Sequence, residues 1–407
     1  MDRLMAFNDW LNGIVWGPYM LVLLVGTGIY LTFRNNFLQV SKFGYMWKNT
    51  IGKMLEKPEE GVEGDITPFQ ALATALAATI GTGNIAGVAT AIATGGPGAV
   101  FWMWFSAFFG MVTKFGEVVL AVRYREKKPD GTWAGGPMYY ISKGLGDKWK
   151  WLAALFAFFG VFASFGIGNM TQANSMADVL AANFSIPHAV TGIVVLVLAG
   201  LVIVGGIKRI AQVTEKLVPF MAIFYVLGGL IILATRLSAI PEAFALIFRH
   251  AFTPTAAVGG FAGATVRKAM TLGVARGVFS NEAGLGSAPI AHATAQTDHP
   301  VRQGLWGIFE VFADTIVVCS ITALSIIVTG AWQSGITGAS LTSHAFNLGL
   351  PGPGGVIVAI GVFLFAYSTL ISWAFYGEKC FEYLVGTRTA KLYRYVFLPF
   401  IYIGAVG

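Results

Sequence analysis

Residues 77 to 88 read Ala-Ala-Thr-Ile-Gly-Thr-Gly-Asn-Ile-Ala-Gly-Val inside a long apolar stretch. Gly81, Gly83 and Asn84 are poor helix formers placed where a helix has to cross lipid, so the backbone is expected to unwind there. Peptide groups freed in this way cannot face hydrocarbon without a large desolvation cost. They must line a cavity in which a solute or a cation satisfies them, and transport is the first expectation.

The composition is that of a polytopic membrane protein. Of 407 residues, 56% are hydrophobic and 12% charged, against about 25% charged in an ordinary soluble domain. A net charge of +7 would suit nucleic acid, but the bases lie in short loops between apolar runs rather than on one face. That pattern excludes nucleic-acid binding and makes membrane lipid the expected surroundings. Cys319 and Cys380 fall in apolar runs at no ligand spacing and read as small packing residues. The first apolar run has no small-residue cleavage motif and reads as a retained helix.

Apolar spans are expected near 14–33, 67–93, 98–121, 151–182, 188–205, 216–235, 256–297, 304–330, 354–377 and 395–407. The seventh is too long: a continuous helix of about 40 residues would be roughly twice the hydrocarbon thickness of about 30 Å. The stretch from Phe279 to Ser287 supplies a second break. If the amino terminus is external, the cytoplasmic loops carry 20 of the 27 Lys and Arg residues, which supports a multi-pass plasma-membrane protein in that orientation. The two broken spans then run in opposite directions with matching positions in two halves, the pattern of an inverted repeat with a midplane site. We read 1–64 as an extra helix with a cytoplasmic segment, and 65–236 and 237–407 as the two halves. The last span rises only about 20 Å, so the second half is expected to lack its final helix in this sequence.

The residues from Asp65 to Phe69 and Gly81 to Gly87, then Gly95 to Trp104, Thr113-Lys114-Phe115 and Glu117, resemble the alanine or glycine:cation symporter family, and Gly277 to Pro289 matches it as well. The resemblance implies an all-α LeuT-type five-plus-five inverted repeat with an extra amino-terminal helix. It also implies uptake of a small amino acid, alanine or glycine, coupled to sodium or, in some relatives, to protons.

An amino-acid zwitterion needs donors, acceptors and a pocket of limiting size. Backbone N–H groups of Thr82, Gly83 and Asn84 at the start of the second half-helix suit its carboxylate; close helix packing would need small residues alone. In the second break, Phe279 is expected to shape the pocket and Asn281 to bond the ligand. Glu282 either pairs with Arg276 or touches substrate. By similarity to LeuT-type transporters, one sodium site would combine carbonyls of Ala77, Ile80 and Phe365 with the hydroxyls of Ser368 and Thr369, with Ser372 offering a slipped register. A further cation site would use the Thr79 carbonyl, Asn84, Ser280 and a polar group of the 304–330 helix.

That helix carries Glu310 and Asp314 four apart on one face, where both cannot stay ionised unaided, so proton coupling is the alternative to sodium. Phe165 and Gln172, seven apart with Gly168 and Asn169 between them, are expected on one face of the 151–182 helix, and Trp373 one turn from Thr369. Thr369 and Trp373 would bound the pocket and limit the side chain it accepts. Lys114 and Glu117, three apart, can pair with each other or with the Arg123 and Arg125 region and read as a gate or anchor, or else as an inert ion pair. Nucleophile–base and metal-ligand spacings, a nucleotide-binding loop and a channel filter are all missing from the sequence, so an enzyme or a channel is not expected. Nothing calls for an obligatory protein partner.

Overall fold

The computed structural model describes residues 2–54, 56 and 61–407; the part of the 1–64 segment at 57–60 lies outside the described residues. Six of the described helices are long and apolar enough to cross a bilayer. A seventh crossing is the bent pair Pro68–Thr79 and Gly83–Gly95, whose halves meet at 50°. The amino-terminal crossing is made of Asp2–Val15 and Pro18–Arg34, so it begins well before residue 14. The other long elements are Gly98–Arg123, Lys150–Phe165 continuing into Thr171–Phe184, Gly206–Thr235, Pro300–Val311 continuing to Val328, and Gly354–Val385.

Local chemistry fixes the first break. Thr67 caps the Pro68–Thr79 helix through a capping box with Gln70, which satisfies two of its orphan donors. Gln70 Nε2 then donates to Glu215 Oε2 at 2.8 Å, tying the half-helix to the Gly206–Thr235 helix. Ile80 leaves the helical region with ψ 86°, and a π-turn at Gly83–Gly87 restarts the helix. A carbonyl loosened by that turn, of Ile85, accepts from Thr342 Oγ1 at 3.1 Å.

The second broken run differs from the span expected over 256–297. Residues 253–265 form irregular structure with short bridges, the helix is Val266–Asn281, and only the four-residue helix Pro289–His292 follows the break. Hydropathy averaged over a long window counts the apolar Ala, Val and Phe of 256–264 as membrane, although Gly259, Gly260 and Gly263 keep them out of a helix. Three short helices also escape such a window: Pro137–Gly144, Ile240–Phe252 and Gly338–Gly349. Ile240–Phe252 lies against the Gly98–Arg123 helix, with Trp102 Nε1 donating to the Ala251 carbonyl at 3.0 Å.

The two broken runs share one foot. Asp65 N–H donates to the Thr294 carbonyl and Gln296 N–H to the Ile66 carbonyl, both at 2.8 Å, around a parallel bridge between Ile66 and Ala295. The first run begins at this foot and the second ends there, so they travel in opposite senses. Arg125 adds hydrogen bonds to the carbonyls of Ala293, Ala295 and Glu63. At mid-height the breaks touch: a Cβ built on Gly83 would lie 3.6 Å from the Phe279 ring.

Candidate functional site: a cavity between two broken helices

A cavity of about 280 Å³ opens where the breaks meet, lined by Gly81, Thr82 and Gly83 on one side and Phe279, Ser280 and Glu282 on the other. Gln172, Thr369, Trp373 and Tyr376 close it from neighbouring helices. Asn84 stitches the first break, its Oδ1 accepting from Gly81 N–H at 2.9 Å while its own N–H donates to the Gly81 carbonyl at 3.2 Å. The Asn84 amide is therefore taken. Thr82 and Gly83, at the start of the second half-helix, line the cavity.

Beside the cavity, oxygen atoms of the first half-helix and of Gly354–Val385 converge. Ser368 Oγ donates to the Ala77 carbonyl at 3.2 Å and to the Phe365 carbonyl at 2.9 Å, and Thr369 Oγ1 to the Ala77 carbonyl at 3.1 Å. Gly81 permits this approach, because a Cβ there would lie 2.6 Å from Thr369 Oγ1. Ile80 is buried at the end of the same half-helix, and Ser372 Oγ is buried one turn away with no partner among the described residues. Hard, mostly neutral oxygens at this spacing fit a small alkali cation.

A second polar cluster centres on Asp314, in a π-turn segment Phe312–Cys319. Its carboxylate accepts from Asn84 Nδ2 at 2.6 Å, Ser280 Oγ at 2.9 Å and Thr315 Oγ1 at 2.7 Å. Asp314 is thus the polar group that the 304–330 helix brings to Asn84 and Ser280. Thr79 lines the cavity, but its hydroxyl turns back to the Ala75 carbonyl. Cys319 is more than apolar packing: its Sγ lies 3.4 Å from Asn84 Nδ2 and 3.3 Å from Ser280 Oγ, at the edge of this cluster.

Around the second break the structure replaces several expected partners. Glu282 makes no pair with Arg276, whose guanidinium sits 5.8 Å from the Phe279 ring centroid; Glu282 accepts from Ser287 Oγ instead. Lys114 does not pair with Glu117. It reaches Glu310 at 3.2 Å, with both side chains fully buried, and Glu310 also meets His292 Nε2 at 2.9 Å. Glu117 turns to the break and accepts from Gly284 N–H at 3.1 Å. A three-residue spacing allows a local pair, but the buried ammonium is satisfied better by a carboxylate packed directly across from it. Glu282 itself holds φ 56° at the helix end, a left-handed conformation that costs a non-glycine residue about 1–2 kcal/mol.

Of the aromatic and amide residues singled out in the sequence, Gln172, Phe279 and Trp373 line the cavity and Phe165 and Asn281 do not. A π-turn at Gly166–Met170 breaks the register on which Phe165 and Gln172 shared a face. Phe165 packs on Tyr393, Phe397 and Phe400 with centroids 4.7 to 5.6 Å away. Gly168 backs Trp373, since a Cβ there would lie 2.4 Å from the Trp373 Cβ, and the Asn169 side chain donates to the Phe397 carbonyl. Asn281 points away from the cavity, donating to Thr315 Oγ1 at 3.0 Å and accepting from Ala283 N–H. Tyr376 went unnoticed in the sequence. Its position three residues after Trp373 and seven after Thr369 puts it on their face and was the available signal.

Two interrupted crossings that meet around a largely apolar cavity with a few polar groups define a secondary transporter of LeuT-like architecture. The structure resembles that of MhsT in complex with L-phenylalanine, with TM-score 0.61 at 14% identity over 85% of this chain and 80% of that one. It also resembles a Na⁺-coupled sialic acid symporter, with TM-score 0.56 at 14% identity over 97% and 81%. These likenesses concern the fold. The chain matches the sodium:alanine symporter family over residues 1–407 and belongs to it. A sodium/alanine symporter of Methanococcus maripaludis is 54% identical over 100% of this chain and 89% of that protein. A Bacillus subtilis protein whose name proposes a sodium/proton-dependent alanine carrier is 41% identical over 94% and 79%. The chain is therefore a multi-pass membrane protein for cation-coupled amino-acid transport, and not an enzyme.

Proposed function

We propose that this protein imports alanine or glycine with sodium by alternating access. The observation that carries the reading is the oxygen cluster of Ala77, Phe365, Ser368 and Thr369 directly beside the cavity. Sodium held there, with the Ile80 carbonyl as a further ligand, would fix the first half-helix against Gly354–Val385. The half-helix in turn shapes the seat for the amino acid. The substrate carboxylate would take the N–H groups of Thr82 and Gly83 at the start of the second half-helix, with Gln172 near the Thr82 hydroxyl at 3.4 Å. Phe279 and Trp373 would limit the side chain to a methyl group or less. Asp314 with Asn84 and Ser280 would hold a second cation.

The two halves, 65–236 and 237–407, would rock the broken helices against the surrounding bundle, with the amino terminus external. The cavity continues from the breaks toward Ser287, Ile290 and Cys380, on the side of the base-rich loops, so this conformation would be the one that releases solute inward. A second reading, proton coupling, is favoured specifically by Asp314, a fully buried carboxylate bonded to neutral groups. Alanine and glycine uptake into proteoliposomes, with sodium and pH gradients imposed separately, tests both. Uptake that follows the sodium gradient alone supports the first reading; uptake driven by a pH gradient without sodium replaces it with the second.

A further inference from the structure

The cavity is longer than one small amino acid. Thr369, Trp373, Tyr376 and Cys380 all line it, and eleven residues of helix rise about 16 Å. Beyond Trp373 the wall carries a polar patch that the proposed substrate position leaves unused: Glu282, Ser287 and Tyr376.

Tyr376 is 1% exposed, its ring lies against Trp373 with centroids 5.5 Å apart, and its hydroxyl has no partner among the described residues. One carboxylate oxygen of Glu282 accepts from Ser287; the other accepts no hydrogen bond among the described residues. The nearby cations are engaged elsewhere, Lys114 by Glu310 and Arg276 by the face of Phe279. A carboxylate is thus held at the cavity wall, on backbone that glycine would adopt more cheaply, with no ion-pair partner of its own among the described residues.

We propose that Glu282, Ser287 and Tyr376 form an ammonium subsite, which takes the α-ammonium group of the amino acid after it leaves the Gly81–Gly83 break. A primary ammonium offers three N–H donors and no acceptor; the second Glu282 oxygen is an unused acceptor on the cavity wall, and the Tyr376 hydroxyl, buried and without a partner among the described residues, is the next acceptor along that wall. The negative charge offsets the loss of water around the ammonium on a path that otherwise has aromatic and aliphatic walls. The inference rests on reading the cavity as an amino-acid site.

Cys380, one turn past Tyr376, provides the readout. The full chain in detergent is alkylated with N-ethylmaleimide and modification of Cys380 is followed by peptide mass spectrometry, with ethylammonium or acetate as probe. Ethylammonium is expected to slow alkylation at least fivefold and acetate to leave it unchanged. Glu282→Gln is expected to abolish the protection, Tyr376→Phe to reduce it, and both to slow alanine release from proteoliposomes more than they weaken equilibrium alanine binding. Absence of Cys380 alkylation, equal effects of the two probes, protection that survives in both variants, or affinity falling more than release overturns the proposal. Loss of sodium-dependent alanine binding by the unmodified protein would instead remove the amino-acid reading on which it rests.

Discussion

The two breaks solve the same problem with different chemistry. The first carries no charge of its own: Asn84 bonds back to Gly81 with its oxygen and out to Asp314 with its amide nitrogen, and the next helix resumes at once. The second is held from outside. Glu117 of the Gly98–Arg123 helix reaches the Gly284 amide, and a buried Lys114–Glu310–His292 network stands behind it. The first arrangement presents few formal charges and turns backbone toward the cavity. A braced break carries the charge, and its geometry depends on helices that do not touch the solute.

This contrast can be broken at several points. Lys114→Met strands Glu310 in the interior, and losing one partner of a buried pair costs about 3–5 kcal/mol; unfolding in detergent should show that loss, and adding Glu310→Gln should recover much of it. If Lys114→Met unfolds like the parent protein, the network is not a brace. Glu117→Ala removes a charged acceptor from the second break, a loss of about 1.5–3 kcal/mol. Hydrogen exchange at Gly284 should quicken while that at Gly81 stays as it was; equal changes at both would erase the distinction. Thr369→Val takes one oxygen from the cluster beside the first break, and the sodium concentration for half-maximal alanine binding should rise about tenfold, equivalent to about 1.4 kcal/mol. Trp373→Ala should let larger amino acids compete with alanine, whereas Phe165→Leu, remote from the cavity, should change alanine affinity by less than about threefold, the small effect expected of a conservative apolar exchange.

Much of this was legible in the chain. Gly81, Gly83 and Asn84 in an apolar run announce an interruption because lipid leaves a peptide group no alternative, and the hydroxyls of Ser368 and Thr369 stand out against their apolar helix. What escaped depended on register and on long-range pairing. The π-turn at Gly166–Met170 rotates Phe165 out of the site, a change that counting at 3.6 residues per turn cannot register. Asn281 sits between two cavity residues in sequence, yet the end of its helix turns it toward Thr315. Lys114 has a nearby carboxylate three residues along and chooses one on another helix, since partners of buried charges are set by packing.

The shared foot at Ile66 and Ala295 has a mechanical consequence. Backbone hydrogen bonds across that bridge join the entry of one discontinuous crossing to the exit of the other, so neither lower segment can tilt without dragging its counterpart. Two side-chain contacts tie the Pro68–Thr79 segment to the Gly206–Thr235 helix, Gln70 to Glu215 at 2.8 Å and, one turn on, Thr74 to Thr214 at 3.2 Å. A swing at this end of the molecule is therefore a motion of a yoke with two arms, released by parting these side-chain contacts rather than by melting either helix.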